Sequence, residues 1–478
     1  MSTSKSNLNS LDASNPALNA TVSASAGSGK TWLLITRIVR LLIEGADPGN
    51  IIALTFTRKA AGEMQIRLNQ RLFEMATADD SDLEALLRII DCGITEENKK
   101  TAAGLYEKIM HSPYPVRIQT FHSFCQDILA RFPLEADIPP GFDLLEDSSL
   151  LQRQAWQMLF DKASLNASRS RLNKELDIIM QFCNGPDNTL NALNSFLNHR
   201  SDWWAYTSHS QNPVAYACNR LATLLDIEDL QDTKTDQLAE QFLSEANKVK
   251  LSQFAGLLRE IKNKTSEKHA ASIEQALHEC ETDSNTAFNL IKSAFIKKDG
   301  EILSQGRSLS PTLEKKLGIE NSRRFIELHL EISRDIMEVN ELEKRLLSYR
   351  INRAWYYAGS IYLDLFQQLK REMRLLDFTD LEWKCYMLLQ HADNAHWVQY
   401  KIDQRIDHLL IDEFQDTNPT QWHLLSPILE EIAAGQQHRQ RSVFLVGDEK
   451  QSIYSFRRAN PALQAQASNW LADRLDAR

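Results

Sequence analysis

The chain is 478 residues long, 43% hydrophobic and 25% charged, with a formal net charge of −10. That length can bury a large core and predicts two or three domains, and the composition excludes disordered, collagen-like and coiled-coil proteins. The acidic balance argues against a uniformly basic nucleic-acid surface but leaves room for a local basic and polar track along phosphates. Met1 to Pro16 is rich in Ser and Asn and lacks an apolar h-region, so it reads as a flexible leader and not as a signal peptide. Next come a β-type run, Ala20 to Ser23, the stretch Ala24-Ser-Ala-Gly-Ser-Gly-Lys-Thr31, and a helical periodicity from Thr31 to Glu44 through Leu33, Leu34, Ile38, Leu41 and Leu42.

A second apolar run, Ile51 to Phe56, leads into a helix over Lys59 to Met75 with Met64, Ile66, Leu68 and Leu72, and a third strand is expected at Val116 to Gln119. Between 132 and 404 strand signals vanish. Helix-like stretches follow one another there, among them Leu150 to Lys162, Ser252 to Lys264, Asn321 to Tyr349 and Tyr362 to Leu376, punctuated by connectors such as Asn184-Gly-Pro-Asp187 and Lys297-Lys-Asp-Gly300. Strands resume at His408 to Asp412 and Val443 to Val446. Apolar strands alternating with helices predict an α/β fold whose parallel sheet is covered on both faces, interrupted by an all-helical insertion. The expected organisation is a leader over 1–16, an α/β sheet domain from 17–131 and 405–478, and a helical insertion domain over 132–404. The six cysteines, Cys92, Cys125, Cys183, Cys218, Cys280 and Cys385, form no C-x-x-C pair. That speaks against a zinc or iron–sulfur site and a disulfide framework, and suits a reducing cytosol. No apolar run approaches the ~18 residues of a membrane span, so a cytoplasmic protein without a membrane partner is expected.

Ala24 to Thr31 fits a phosphate-binding loop with alanine at its first glycine position. Gly27 and Gly29 let backbone N–H groups approach phosphate, Lys30 brings charge to the β/γ oxygens, and Thr31 offers a hydroxyl to Mg²⁺. The strand before it and the helix after it aim a positive helix start at the anion. The candidate cradle is Ser23, Ala24, Ser25, Ala26, Gly27, Ser28, Gly29, Lys30 and Thr31; the bland alternative is a Gly/Ser turn. Leu409-Leu-Ile-Asp-Glu413 is an apolar strand ending in two carboxylates, which in a parallel sheet face the ligand crevice. Asp412 would then hold Mg²⁺ and Glu413 would polarise the attacking water; otherwise they form a solvated strand end.

These stretches, with Thr55 to Met64, Thr120-Phe-His-Ser123, Ile411 to Thr417 and Gly447 to Tyr454, resemble the successive motifs of superfamily 1 DNA helicases of the UvrD/Rep type. The Ala-Ser-Ala-Gly form of the loop and Asp377-Phe-Thr-Asp-Leu381 look closest to the RecB/AddA helicase–nuclease branch of recombinational repair. The motifs hold 42 of the 478 residues, under a tenth of the chain. The resemblance implies a RecA-like P-loop NTPase domain that uses ATP and Mg²⁺ to move 3′ to 5′ along single-stranded DNA from duplex ends, with double-strand-break repair as its setting. It implies that Lys30 and Thr31 bind the triphosphate and Mg²⁺, that Asp412 and Glu413 are the Walker B pair, that Gln451 links the γ-phosphate to the DNA site, and that Arg457 helps couple the two. Thr55, Phe56, Thr57 and Arg58, with Thr120, Phe121 and His122, match strand ends that contact single-stranded DNA, and Tyr454 and Phe456 match base-stacking aromatics. Stacking gives grip without sequence preference, because every base has a π-face, at ~1–3 kcal/mol per base. Phe56 and Phe121 also read as core aromatics, and Trp203-Trp204 reads more readily as core than as a stacking platform.

The chain departs from this pattern in three places. No glutamine precedes the loop between Met1 and Ser23 to read adenine, and position 32, often arginine in the family, is Trp32. Only seventeen residues follow Pro461. The expectation is therefore that a second RecA-like domain with its arginine fingers, and any nuclease domain, lie outside this chain, and that the polypeptide alone binds nucleotide but turns it over poorly and does not unwind DNA. Loss of an arginine finger costs ~10³–10⁵ in rate. A C-terminal helicase half or nuclease subunit would be the partner. The alternative readings are an ATP-gated DNA-binding or assembly module completed by a separate chain, and a P-loop enzyme unrelated to DNA, such as a kinase.

Overall fold

A computed structural model describes residues 10–25, 29–164, 171–297, 299–303, 310–390, 395–435, 440–452 and 459–475. The chain divides into two compact units, one built from Met1–Leu151 with Gln368–Arg478 and the other from Gln152–Gln367.

In the first unit the β-branched runs form a five-stranded sheet. Its strands are β1 (Ala20–Ser23), β2 (Ile51–Thr55), β3 (Arg117–Thr120), β6 (His408–Ile411) and β7 (Ser442–Gly447), in the order β1-β7-β6-β2-β3. Every neighbouring pair is parallel, with Ala20 opposite Phe444, His408 opposite both Ser442 and Ile51, and Ile52 opposite Arg117. Two further strands of two residues each, β4 (Asp143–Leu144) and β5 (Leu375–Leu376), pair with one another. They lie where no strand was expected from the sequence, because two residues are too short to show a periodicity.

The period of two decides which side chains face which layer. Ile51, Ala53, Leu410, Phe444 and Val446 enter one core with the Lys30–Ile43 and Arg58–Thr77 helices. Ile52, Leu54, Leu409, Ile411, Val443 and Leu445 enter the opposite core with the Phe121–Arg131, Phe378–Gln390, Pro419–Gly435 and Ala462–Leu475 helices. Both faces are thus covered, which is what all-apolar parallel strands require. Within the first of these layers, the fully buried Arg37 guanidinium donates to the carbonyls of Ala13, Asn15 and Leu18 and lies 4.7 Å from the centre of the Phe444 ring. Burial pushes it down to about 9. With Arg40, which donates to the Leu11 carbonyl and Ser14 Oγ at 3.3 and 3.0 Å, it pins the segment that precedes β1.

The second unit is built of helices, including Arg171–Cys183, Pro186–Asn198, Glu245–Ile261, Lys264–Glu279 and Ser284–Phe295. Phe254, Phe288, Phe295 and Phe325 form the centre of one of its cores. A continuous helical run, Pro311–Glu372, kinks at Gly318 (φ 77°) and carries the chain back to the first unit. The two helical stretches expected there from the sequence are one, and Gly359 does not break it. Gly359 serves packing instead: a Cβ there would meet the Phe196 ring at 2.8 Å. Trp203 is a core residue against Phe196 and Tyr356, with ring centres 5.1 and 5.5 Å away. Among the described residues no helix is long and apolar enough to cross a membrane.

Candidate functional site

All five strands run the same way, so their carboxyl ends form one edge. Ser23 stands opposite Gly447, Leu54 opposite Ile411, and Thr55 opposite Thr120. The residues that follow, Ala24, Asp412, Phe56, Phe121 and Asp448, are thereby delivered to that edge from stretches far apart in sequence. Ala24 N–H donates to the Gly447 carbonyl at 3.1 Å and Asp412 N–H to the Leu54 carbonyl at 2.8 Å, so the ladders run to the very start of the loops.

Gly29 has φ 85°, a left-handed conformation that glycine adopts without cost, and its carbonyl accepts the first bond of the Lys30–Ile43 helix from Leu33 N–H at 2.9 Å. Lys30 is therefore the first helical residue. Its Nζ lies 2.9 Å from Glu413 Oε2, with side-chain exposures of 9% and 35%. Glu413 itself has φ 52°. A non-glycine residue held there is worth about 1–3 kcal/mol of strain, a cost found most often at functional sites. Gln415 completes the arrangement: its Nε2 donates to Glu413 Oε2 at 2.7 Å and its Oε1 accepts Asp448 N–H at 2.9 Å. Gly447 makes room for this, since a Cβ there would lie 2.9 Å from Gln415 Oε1 and 2.7 Å from Gln464 Oε1.

Asp412 is buried beside the pair. Burial and then the Glu413 charge push its carboxyl up to about 6, against the Glu413 N–H and Lys30, which favour the ionised form. Gln451 donates through Nε2 to Asp448, and this bond with the Lys450 N–H holds the Asp448 carboxyl below its ordinary range. Thr31 is half-buried in the first turn of the helix, and Ser25 is exposed in the loop. Ala26, Gly27 and Ser28 of the loop, and Tyr454, Phe456 and Arg457, lie outside the described residues.

On the β2 and β3 side, Thr57 and Thr120 cap helices, accepting from Ala60 N–H and Ser123 N–H, each at 3.1 Å. The Thr55 hydroxyl is buried without a hydrogen-bond partner among the described residues. Phe56 is half-buried, whereas Phe121 belongs to the core, edge-on to Phe124. Arg58 is largely exposed and pairs with Glu146 at 3.3 Å. His122 Nε2 lies 3.0 Å from Glu382 Oε1, and its ring packs 4.6 Å from Phe378.

Sequence reasoning missed Gln415 as an orienting group and missed Glu382 altogether. The sequence did mark the helix start that carries two of its donors. Asn418-Pro-Thr-Gln421 has the spacing of a capping box with proline at the first helical position, and both reciprocal bonds are present, Asn418 N–H to Gln421 Oε1 at 3.1 Å and Gln421 N–H to Asn418 Oδ1 at 2.8 Å. Asp377 and Asp380 likewise cap one another, and both carboxylates bind the buried Lys370 ammonium.

This is an α/β domain with a parallel sheet whose ligand edge joins a helix-start lysine to paired strand-end acids. The chain matches the UvrD/REP helicase N-terminal domain over residues 7–470 and belongs to that family. Its relatives include the ATP-dependent helicase/nuclease A-subunit from Lactobacillus johnsonii, 26% identical over 92% of this chain and 35% of that protein. The corresponding protein from Latilactobacillus sakei is 26% identical over 92% and 48%. That from Natranaerobius thermophilus is 27% identical over 92% and 33%. The chain thus spans about a third to a half of the length of these curated relatives.

Proposed function

We propose that the chain is the ATP-driven motor domain of a DNA helicase of the ATP-dependent helicase/nuclease kind, moving 3′ to 5′ on single-stranded DNA during recombination and double-strand-break repair in the cytoplasm. In this reading the sheet unit is the RecA-like ATPase domain, the helical unit is its insertion, and a nuclease-bearing protein is the partner. The observation that carries it is the 2.9 Å contact between Lys30 and Glu413, which are 383 positions apart in sequence.

The residues at this edge fit Mg-ATP. Asp412 and the Thr31 hydroxyl are hard oxygen donors, and Mg²⁺ commonly binds through one or two such groups together with substrate phosphates. Asp412 is buried, and burial with the Glu413 charge raises its carboxyl to about 6, so a cation bound beside it would favour the ionised form. When bound, Mg²⁺ supplies positive charge to the β- and γ-phosphate oxygens. Lys30 would turn from Glu413 to the triphosphate. Glu413, still oriented by Gln415, would then accept a proton from the attacking water, and Gln451 would report on the γ-phosphate through Asp448. Thr55, Phe56, Thr57, Arg58 and His122 would meet the strand, with Phe121 as packing behind them, and Tyr454, Phe456 and Arg457 would extend the track.

The test is direct binding of a fluorescent ATP analogue with Mg²⁺, and of labelled oligo(dT), to the purified chain, followed by ATPase assays with and without oligo(dT). Saturable binding of both supports the reading. A chain that binds neither refutes it, and one that binds nucleotide but no DNA refutes the DNA track assigned to this chain.

A further inference from the structure

Glu382 is a buried carboxylate beside the sheet's ligand edge, and its donors come from two separate stretches. His122 Nε2, two residues beyond β3, lies 3.0 Å from Oε1. Gln421 Nε2 donates to the same oxygen at 2.6 Å, and Asn418 Nδ2 to Oε2 at 2.9 Å. Burial alone would raise this carboxyl, but the three donors outweigh it and hold it below the ordinary range. Asn418 is five residues beyond Glu413. The segment between them is a single stiff turn: Asp416 N–H bonds to the Glu413 carbonyl at 2.9 Å, Thr417 N–H bonds to the Phe414 carbonyl at 3.0 Å, and the Phe414 ring is fully buried. The Thr417 carbonyl in turn accepts from Asn460 N–H at 3.1 Å, tying in the chain that returns from the Gln451 segment.

We propose that Glu382 is a positioning residue that couples the two ends of this edge, carrying the displacement of Glu413 on nucleotide binding through Asn418 and Gln421 to His122. The proposal rests on the functional reading above, in which Glu413 faces nucleotide and His122 faces DNA. Its physical basis is that one buried anion serves donors from both sides. Moving the turn after Glu413 without His122 would strip Glu382 of a charged hydrogen bond, so the two sides move together.

The test uses the 478-residue chain, fluorescein-labelled oligo(dT), and adenosine 5′-(β,γ-imido)triphosphate with Mg²⁺. In the wild type the nucleotide changes oligo(dT) affinity by at least ~5-fold, the lower end of common couplings. Glu382→Gln keeps the shape and removes the charge. It is expected to reduce that change to under ~2-fold while nucleotide affinity stays near wild type, with some fall in the thermal midpoint because Asn418 Nδ2 or its neighbours then face an amide donor. Gln421→Met, which retains volume and removes one donor, gives a partial loss and carries the test should Glu382→Gln fold poorly. Wild-type coupling retained in both variants overturns the proposal. So does a parallel fall of both affinities and the thermal midpoint, which marks a purely structural role. A wild-type chain that binds both probes without coupling overturns this inference alone, whereas one that binds neither overturns the functional reading with it.

Discussion

His408 opens β6, the strand that ends at the acidic pair, and it offers a local measure of how firmly that strand is held. Its ring is 3% exposed and Nδ1 lies 2.9 Å from Ser442 Oγ on β7. Burial, and then the nearby Arg37 cation, push the imidazole from 6.5 down to about 4. The folded state therefore holds His408 neutral in a range where the unfolded chain protonates it. Stability from this residue is fully present above pH 6.5 and is lost as pH falls toward 4, reaching about 3 kcal/mol at the lower limit. At pH 5 the loss works out at about 2 kcal/mol, or about 30-fold in the opening equilibrium. Hydrogen exchange of peptides covering 406–412, corrected for intrinsic rates, reads this directly. His408→Asn places an amide near the Nδ1 position and cannot protonate. Protection in the wild type is expected to fall about 20-fold more than in the variant between pH 7 and pH 5. Equal falls in the two proteins would refute the claim that the buried imidazole is neutral.

Lys30→Ala removes the charged contact expected for the triphosphate. Nucleotide affinity is then expected to drop by about 10- to 150-fold, corresponding to the ~1.5–3 kcal/mol of a charged hydrogen bond, as read by titration of a fluorescent ATP analogue. Gly447→Ala forces a methyl to within 2.7 Å of Gln464 Oε1 and 2.9 Å of Gln415 Oε1. It is expected to cost about 1–3 kcal/mol in denaturant unfolding and, by displacing Gln415 from Glu413, to slow hydrolysis more than it weakens binding.

The strands were legible because runs such as Ile51–Leu54 and His408–Ile411 are apolar at successive positions, which only a doubly covered sheet uses. That Lys30 would meet Asp412 and Glu413 at one edge was legible because a Gly/Ser loop before a helix and an acidic strand end both fall at the carboxyl ends of a parallel sheet. The polar web was not. Glu382 lies among Leu381, Cys385, Leu388 and Leu389 on one helix, and nothing in that pattern says which distant donors enclose it. Gln415 reads as one polar residue behind two acids, and its role appears only when β7 brings the Asp448 N–H to its other side. Long-range pairing of uncharged amides leaves no periodicity in sequence, whereas burial on a strand does.

If this edge takes a nucleotide as proposed, the Lys30–Glu413 pair also bears on what must accompany it. One lysine faces two carboxylates, Asp412 and Glu413, so the described edge has an acidic excess before any ligand arrives. A bare triphosphate would draw Lys30 away and leave both acids facing its own negative charge. At an effective dielectric near 20, each such contact at ~4 Å is worth ~4 kcal/mol of repulsion before screening. The edge therefore favours a polyanion that brings a divalent cation with it. Chelating Mg²⁺ with EDTA is expected to weaken binding of the fluorescent ATP analogue by at least ~10-fold, or ~1.4 kcal/mol. Asp412→Asn removes one of the opposing charges, so it should narrow the gap between the magnesium and EDTA titrations chiefly by improving the latter. Equal nucleotide affinity with and without Mg²⁺ in the wild type would mean that the two carboxylates do not face the phosphates, and the assignment of this edge would fall with them.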